Sequence, residues 1–338
     1  MASDQDKPNF TSWKHQYSSG RIAYRRTEKC DDKVMQFRQL QYLVALAREQ
    51  HFTRAADACA VSQPALSEAI RKLELELELP LIARGHRFEG LTVEGERIVR
   101  WAERTLDSHA SLLHEAASLR AGVTGTLRLG VIPTASTAVA ELSGSLCTRY
   151  PLITVSFDED LSSVEIAARL DRFELDGGIT YLDDTVTEHH RAFPLYREMY
   201  TLLTADNPAQ PRRELISWRE ASTLSMCALP SVMRGRRILD QNFADDECVC
   251  TPQIETNSVA SLYAHVKTGK WAAVVPKTWT DVFGEPYGLR CTPLEEGRRP
   301  TIVGLITRND APPSVLVAAL EVTASMLDQT SSGEPIER

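Results

Sequence analysis

From Gln39 the apolar positions recur with helical spacing, with Leu40, Leu43, Val44 and Ala47 on one stripe. The pattern breaks at His51 and resumes after Thr53, which stands where a helix N-cap is expected, and a short second helix then carries Ala55, Ala56 and Cys59. Val61 and Ser62 make the next turn. Ser62 is placed to cap backbone N–H groups, and Pro64 falls in the first turn of a third helix, where a missing N–H costs little. That helix is expected to run to about Glu78, with Leu66, Ala69, Ile70 and Leu73 facing inward and Pro64, Ser67, Glu68, Arg71 and Lys72 on the opposite side. After Pro80, the apolar Leu81 and Ile82, a turn with Arg84, Gly85, His86 and Arg87, and the return at Leu91 predict a two-stranded wing.

Thr92 can cap a long helix in which Ile98, Thr105, Leu112 and Leu119 recur every seven residues, with Ala102, His109 and Ala116 interleaved. This is the spacing of a coiled-coil seam, the alternative being packing of the helix on its own domain. Beyond Gly122 and Gly125 the period changes to two at Leu127, Leu129 and Val131, which predicts a strand. Further strands are expected at Ile153 to Phe157, Leu175 to Tyr181, Met199 to Thr204, Thr223 to Cys227, Ile254 to Thr256, Ala272 to Pro276 and Thr301 to Ile306. Strands alternating with helices predict an α/β domain with a mostly parallel sheet, here crossing twice between two lobes.

Composition adds limits. A chain of 338 residues that is 43% hydrophobic has material for two or three domains, and no apolar run approaches a bilayer crossing, so no membrane partner is expected. Residues 1–34 are polar, lack a secretory apolar core and read as a disordered arm, as residues 329–338 read as a disordered tail. Seven scattered cysteines fit a reducing compartment, so the expected location is cytoplasmic.

The net charge of -8 repels phosphate overall, and from Met35 to Arg100 nine basic residues face nine acidic ones. Any contact with DNA must come from a local surface. The opening segment is therefore either a solvated three-helix bundle or a helix-turn-helix whose second helix, beginning at Ser62, enters the major groove. On the second reading, Ala65 and Ser67 let the backbone approach base edges, Gln63 can pair with adenine, and Arg71 can reach guanine or phosphate. The candidate DNA contacts are Thr53, Arg54, Ser62, Gln63, Pro64, Ala65, Ser67, Glu68, Arg71 and Lys72, with Arg84 and Arg87 along the phosphates.

Open α/β sheets leave a crevice at their strand ends, and free N–H groups at helix starts attract small anions. Pro133, Thr134, Ser136 and Thr137 lie at one expected helix start and Ser162 and Ser163 at another, while Thr180 and Tyr181 fall near the expected hinge. Arg234, Arg236 and Arg237 begin a helix in the second lobe, Arg234 as a candidate anion contact and at least two of the three as a solvated run. Asn257 and Ser258 are placed to cap another helix. For each hydroxyl, simple capping is the alternative to ligand contact.

No hydrolase elbow, zinc-protease helix, phosphate loop or dinucleotide fingerprint is present, so no catalytic residue and no cofactor are expected. Cys248-Val249-Cys250 and His189-His190 lack second-half ligands for a metal. A redox switch through Cys227 and Cys248 stays open, since a lowered thiol pKa is not visible in sequence.

Phe37-Arg38-Gln39-Leu40-Gln41-Tyr42-Leu43, His51-Phe52-Thr53-Arg54-Ala55-Ala56, Ser62-Gln63-Pro64-Ala65-Leu66-Ser67 and Ile70-Arg71-Lys72-Leu73-Glu74 resemble the LysR-type transcriptional regulators. Pro80-Leu81-Ile82-Ala83-Arg84 and Leu91-Thr92-Val93-Glu94-Gly95 continue the resemblance, which extends in layout to about Asp328. It implies an all-α winged helix-turn-helix at 35–92, a dimerisation helix at 93–122 and a two-lobed, periplasmic-binding-protein-like effector domain at 123–328. Lobe I is then expected at about 123–196 and 300–328, lobe II at about 197–299. The implied protein is not an enzyme. It binds double-stranded promoter DNA, a small and anionic effector and RNA polymerase, and it assembles as a homodimer through the linker helix and as a homotetramer. The competing readings are a thiol-based redox regulator and a ligand-binding protein whose N-terminal bundle only dimerises.

Overall fold

The computed structural model describes residues 35–83, 88–207, 209, 211–285, 287–309 and 312–331. The arm 1–34, the wing residues Arg84 and Arg87, and residues 332–338 lie outside the described residues. The chain divides into two compact units, Met1–Arg97 and Ile98–Arg338, so the division falls inside the linker helix and not before residue 93.

In the first unit α1 (Phe37–Glu49), α2 (Phe52–Ala58) and α3 (Gln63–Leu77) form the expected three-helix order. The cap of α2 differs from expectation. His51 is the extended residue, its Nδ1 accepts the Thr53 N–H at 3.2 Å, and Thr53 is already helical. Ser62 caps α3 as its position predicts, Oγ accepting the Ala65 N–H. Leu46, Ala55, Ala56, Leu66 and Ile70 form the core where the helices cross. Leu40, Leu43 and Val44 of α1 and Leu66, Ile70 and Leu73 of α3 are buried as expected, with Leu46 fully buried beside them, whereas Ala47 and Ala69 at the edges of the two stripes are only half-buried.

The wing is anchored from two sides. Glu74 Oε1 on α3 receives the N–H groups of Leu81 (2.7 Å) and Ile82 (3.1 Å), which accounts for the acid that ends the Ile70–Glu74 motif. Ile82 pairs with Leu91 antiparallel, and Phe88 meets Phe52 edge to face at 6.1 Å. The next helix, α4 (Val93–Ala121), starts on Thr92, whose Oγ1 accepts the Gly95 N–H at 2.9 Å while donating to the Pro80 carbonyl. A Cβ at Gly95 would sit 2.1 Å from the Leu81 carbonyl oxygen, a backbone atom with no room to retreat. Along the expected seam Ala102 is buried within the chain, while Leu112 (65%) and Leu119 (81%) are exposed.

The second unit continues through β1 (Thr124–Val131), α5 (Val139–Arg149), β2 (Leu152–Asp158), α6 (Ser163–Asp171), β3 (Gly177–Tyr181), α7 (Asp184–Thr187) and β4 (His190–Arg197). It then forms β5 (Tyr200–Ala205), α8 (Trp218–Ala221), β6 (Cys227–Ala228), α9 (Arg234–Asp245), β7 (Ile254–Glu255), α10 (Val259–Lys267), β8 (Ala273–Pro276), α11 (Lys277–Phe283) and β9 (Leu289–Pro293). It returns through β10 (Ile302–Arg308) to α12 (Val315–Ser331), whose last turns take up residues 329–331 of the expected tail.

Lobe I is a five-stranded sheet in the order β2-β1-β3-β10-β4, and lobe II is built on β8-β5-β9 with the parallel pair β6-β7. Lobe I is mostly parallel, as expected: β1, β2, β3 and β4 run in one direction and β10 is reversed, because it re-enters from the other lobe and pairs antiparallel with both β3 and β4. In lobe II β5 runs against both β8 and β9. The strands missed by periodicity, β4 and β9, are the ones that flank the crossovers. Alternating side chains of β1 and β3 fill the lobe I core with Leu127, Leu129, Ile179 and, from β10, Leu305.

At the first crossover, between β4 and β5, Glu198 donates its N–H to the Thr301 carbonyl of the second crossover (2.8 Å), tying the two connections together. Its carboxyl group is buried. Tyr181 and Tyr200 donate to Oε2 at 3.1 and 2.8 Å, and Oε1 has no hydrogen bond. Desolvation outweighs those two donors and pushes the carboxyl up to about 7.

Two outcomes follow from these contacts. Gly95→Ala is expected to lower the stability of the first unit by about 2 kcal/mol, read from urea unfolding, through the clash with Leu81. For Glu198, the raised value means that folding takes up a proton, so stability is expected to fall as pH rises from the usual 4.5 through about 7. The loss is of the order of 3 kcal/mol. Glu198→Gln should remove this slope, and a wild-type-like slope in the variant would contradict the assignment.

Candidate functional site

Two surfaces carry the candidate residues. On the first unit, Gln63, Pro64, Ala65, Glu68, Arg71 and Lys72 are exposed on α3, and Ser67 is half-buried. The interior side of the same helix, at Leu66, Ile70 and Leu73, is buried, so the polar face is turned outward by the packing itself. Its first turn is pre-ordered, with Gln63 Nε2 donating to Ser67 Oγ at 3.0 Å. Arg71 is engaged in a two-pronged ion pair with Glu68, Nε to Oε2 at 2.9 Å and Nη2 to Oε1 at 2.8 Å. That guanidinium holds the Glu68 carboxyl below its usual range. Ser62 is spent on its cap, while Thr53 and Arg54 are exposed beside it on α2, Arg54 bonded to the Glu49 carbonyl at 2.5 Å.

On the second unit the candidates separate into groups with different roles. Ser162 is the cap of α6, exchanging bonds with Glu165 in a closed capping box. Ser163, buried at the start of α6, accepts from Thr180 Oγ1 at 2.8 Å, so both hydroxyls serve lobe I internally. Ser136, in the turn begun by Pro133, donates to the Pro133 carbonyl. Asn257 is exposed, and Ser258 alone caps α10. Thr137 is half-buried, with its hydroxyl unbonded.

The remaining candidates meet between the lobes. Thr134 Oγ1 lies 2.8 Å from Tyr181 Oη, which continues to Glu198 and Tyr200. Burial, then the nearby Glu198, push the Tyr181 and Tyr200 phenols far above their usual value, so both stay protonated donors. From lobe II, Trp279 Nε1 donates to the Thr134 carbonyl at 3.0 Å. Gly235 comes so close that a Cβ there would stand 2.8 Å from Tyr181 Oη. Arg234 forms an ion pair with Asp183, the residue that caps α7. The cation expected to meet an anion is thus already answered by a carboxylate, with its Nε buried and unbonded.

Of the expected solvated run, only Arg237 is exposed. Arg236 is buried on Asp240, Glu255 and the Leu229 carbonyl, because its position on α9 faces the lobe interior. Sequence reading missed Glu198, Tyr200, Gly235 and Trp279. The acid at 198, standing immediately before the apolar pattern that begins at Met199, is the one with a sequence signal.

The described cysteines are all free. Burial pushes the thiols of Cys227, Cys250 and Cys291 up to about 11. Cys248 donates to the Phe243 carbonyl at 3.1 Å. Among the described residues no group of three or more His, Cys, Asp and Glu is placed to hold a metal ion, and no helix is long and apolar enough to cross a membrane.

Comparison with known proteins places this architecture. Residues 37–96 match the family described as bacterial regulatory helix-turn-helix protein, lysR family, and residues 120–323 match the LysR substrate binding domain. A hydrogen peroxide-inducible genes activator of Dickeya chrysanthemi is 34% identical over 193 residues, 56% of this chain and 61% of that protein. The DNA-binding transcriptional dual regulator OxyR of Escherichia coli K12 is 35% identical over 187 residues, 54% of this chain and 59% of that protein. The chain thus spans about three fifths of the length of these curated relatives.

Among solved structures, a full-length OxyR variant from Pseudomonas aeruginosa shares the fold with a TM-score of 0.66 at 24% identity, covering 87% of this chain and 98% of that one. Full-length CbnR in complex with target DNA gives 0.61 at 18% identity, covering 87% and 100%. With both domain models matched in order along one chain, this protein belongs to the lysR family of bacterial regulators.

Proposed function

We propose that this chain is a cytoplasmic, non-enzymatic transcription regulator that reads promoter DNA with α3 and answers to a small molecule between the lobes of its second unit. The observation that carries the reading is the outward face of α3. Gln63 and Arg71 stand exposed around small Ala65, on the second helix of a helix-turn-helix, where a major groove can admit them. Lys72, Arg54 and Thr53 are the proposed backbone contacts. Arg71 has to leave Glu68 to reach a base or a phosphate, so Glu68 tunes affinity by competing for the guanidinium.

The exposed Leu112 and Leu119 support self-association through α4, and a dimer would present two α3 faces to two half-sites. In the cleft, the Thr134–Tyr181–Glu198–Tyr200 chain and the Arg234–Asp183 pair are what an effector would rearrange. An anionic effector has to displace Asp183 from Arg234. Preferring one lobe arrangement, it would shift the population and with it the spacing of the DNA-reading faces.

The peroxide-inducible relatives direct attention to thiols. Thiol reactivity needs the thiolate, which burial disfavours at Cys227, Cys250 and Cys291, so we favour the effector over a redox switch through Cys227.

Sequencing the genomic fragments retained by the purified protein should return a partly palindromic site. On that site Arg71→Ala is expected to weaken binding about tenfold and to reduce the slope of log affinity against log salt by about one. Retention without a shared sequence, or binding indifferent to salt, would refute the DNA-reading role.

A further inference from the structure

The two donors that hold the Glu198 carboxyl stand on different lobes, Tyr181 on β3 of lobe I (3.1 Å) and Tyr200 on β5 of lobe II (2.8 Å). Glu198 itself lies in the first crossover and is bonded through its N–H to the Thr301 carbonyl of the second. A turn of one lobe against the other therefore acts on this cluster. We propose that it is a proton-operated latch: with Glu198 uncharged the lobes keep the arrangement seen here, and loss of its proton favours one in which β3 and β5 draw apart and water reaches the carboxylate.

The surroundings of the carboxyl favour its neutral form. Glu198 is 4% exposed, and Oε1 closes no hydrogen bond. From β3, β4 and β5 it meets the phenols of Tyr181, Tyr196 and Tyr200, which burial keeps protonated. The cations on the neighbouring elements are answered elsewhere. Arg197 pairs with Glu296 of the second crossover, and Arg299 of that crossover with Asp245 of α9. Arg234 at the start of α9 pairs with Asp183, and Lys277 at the start of α11 with Asp281. Glu295, also on the second crossover, is a further acid and supplies no counter-charge. Burial is thus opposed by the two tyrosine hydroxyls alone, and a charge formed in place would be poorly compensated.

The direction follows from linkage. An arrangement that wets the carboxyl returns Glu198 towards its usual 4.5, so that arrangement holds the proton less tightly than the one seen here, where burial raises the value to about 7. The preference for the present arrangement is complete below the usual 4.5 and fades as pH rises through about 7. From about pH 6 to about pH 8 the balance is expected to move about tenfold towards the wetted arrangement. Since an effector selecting one lobe arrangement would be coupled to the same equilibrium, proton and effector binding would influence each other reciprocally. That consequence rests on the effector reading, whereas the latch requires neither effector nor DNA.

Trp279 of lobe II reports on the arrangement, because its Nε1 donates to the Thr134 carbonyl of lobe I at 3.0 Å and its ring is buried. The full chain is labelled with 5-fluorotryptophan and followed by fluorine NMR across this pH range, without effector or DNA, with Trp279→Phe identifying the signal. A second Trp279 state should gain about tenfold on the first between about pH 6 and about pH 8. Glu198→Gln, which stays neutral, should hold the first state throughout. Tyr200→Phe keeps the ring and removes one donor to the carboxylate, so it should move the midpoint to higher pH. The latch is refuted if the wild-type ratio is the same at both pH values, if Glu198→Gln shows the same change, or if Tyr200→Phe leaves the midpoint in place or lowers it. Should Glu198→Gln fail to fold, the midpoint of Tyr200→Phe decides. Operator retention on the same preparations reports separately on the DNA-reading role.

Discussion

A carboxyl group without water around it sits where the two crossovers between the lobes run side by side. Glu198 is held there by the tyrosine hydroxyls of β3 and β5 and by its own N–H on the Thr301 carbonyl. Because a buried polar group is costly to leave unpaired, this cluster fixes how β4 leads into β5 and β9 into β10. The position of Tyr181 then sets Thr134, against which Trp279 and Gly235 of lobe II are packed. Any other lobe arrangement must offset the loss of these bonds.

The first unit rests on a comparable economy of contacts. Glu74 holds both N–H groups that lead into the wing, and Gly95 allows the first turn of α4 to lie on the Leu81 carbonyl. These contacts fix the wing strand relative to α3 without using any residue of its outward face. Gln63, Ala65 and Arg71 therefore stay at the surface, with Gln63 bonded to Ser67 and Arg71 to the Glu68 carboxylate. The bulk charge of -8 is then no obstacle to a local recognition surface.

Elements whose cause is local were legible in the chain. Ser62 and Pro64 marked the start of α3, Thr92 the start of α4 and Ser162 the start of α6, since a cap acts on N–H groups only two or three residues away. The limits of this reading are equally local. His51 displaced Thr53 as a cap because a ring nitrogen can accept the same bond, a possibility that residue preferences rank low. The strands β4 and β9 have no clean alternation because each borders a crossover and is only partly covered on its faces.

The order of helices, the family motifs and the outward face of α3 were determined by the sequence alone, through periodicity and capping that operate within a few residues. Tertiary structure decided the rest. Arg234 meets Asp183, Arg236 turns inward to Glu255, and Glu198 gathers Tyr181 and Tyr200, all pairings made by strands and helices brought together from different stretches of chain. Which cation is already paired and which acid is dry depend on burial and on distant partners. A linear pattern contains neither.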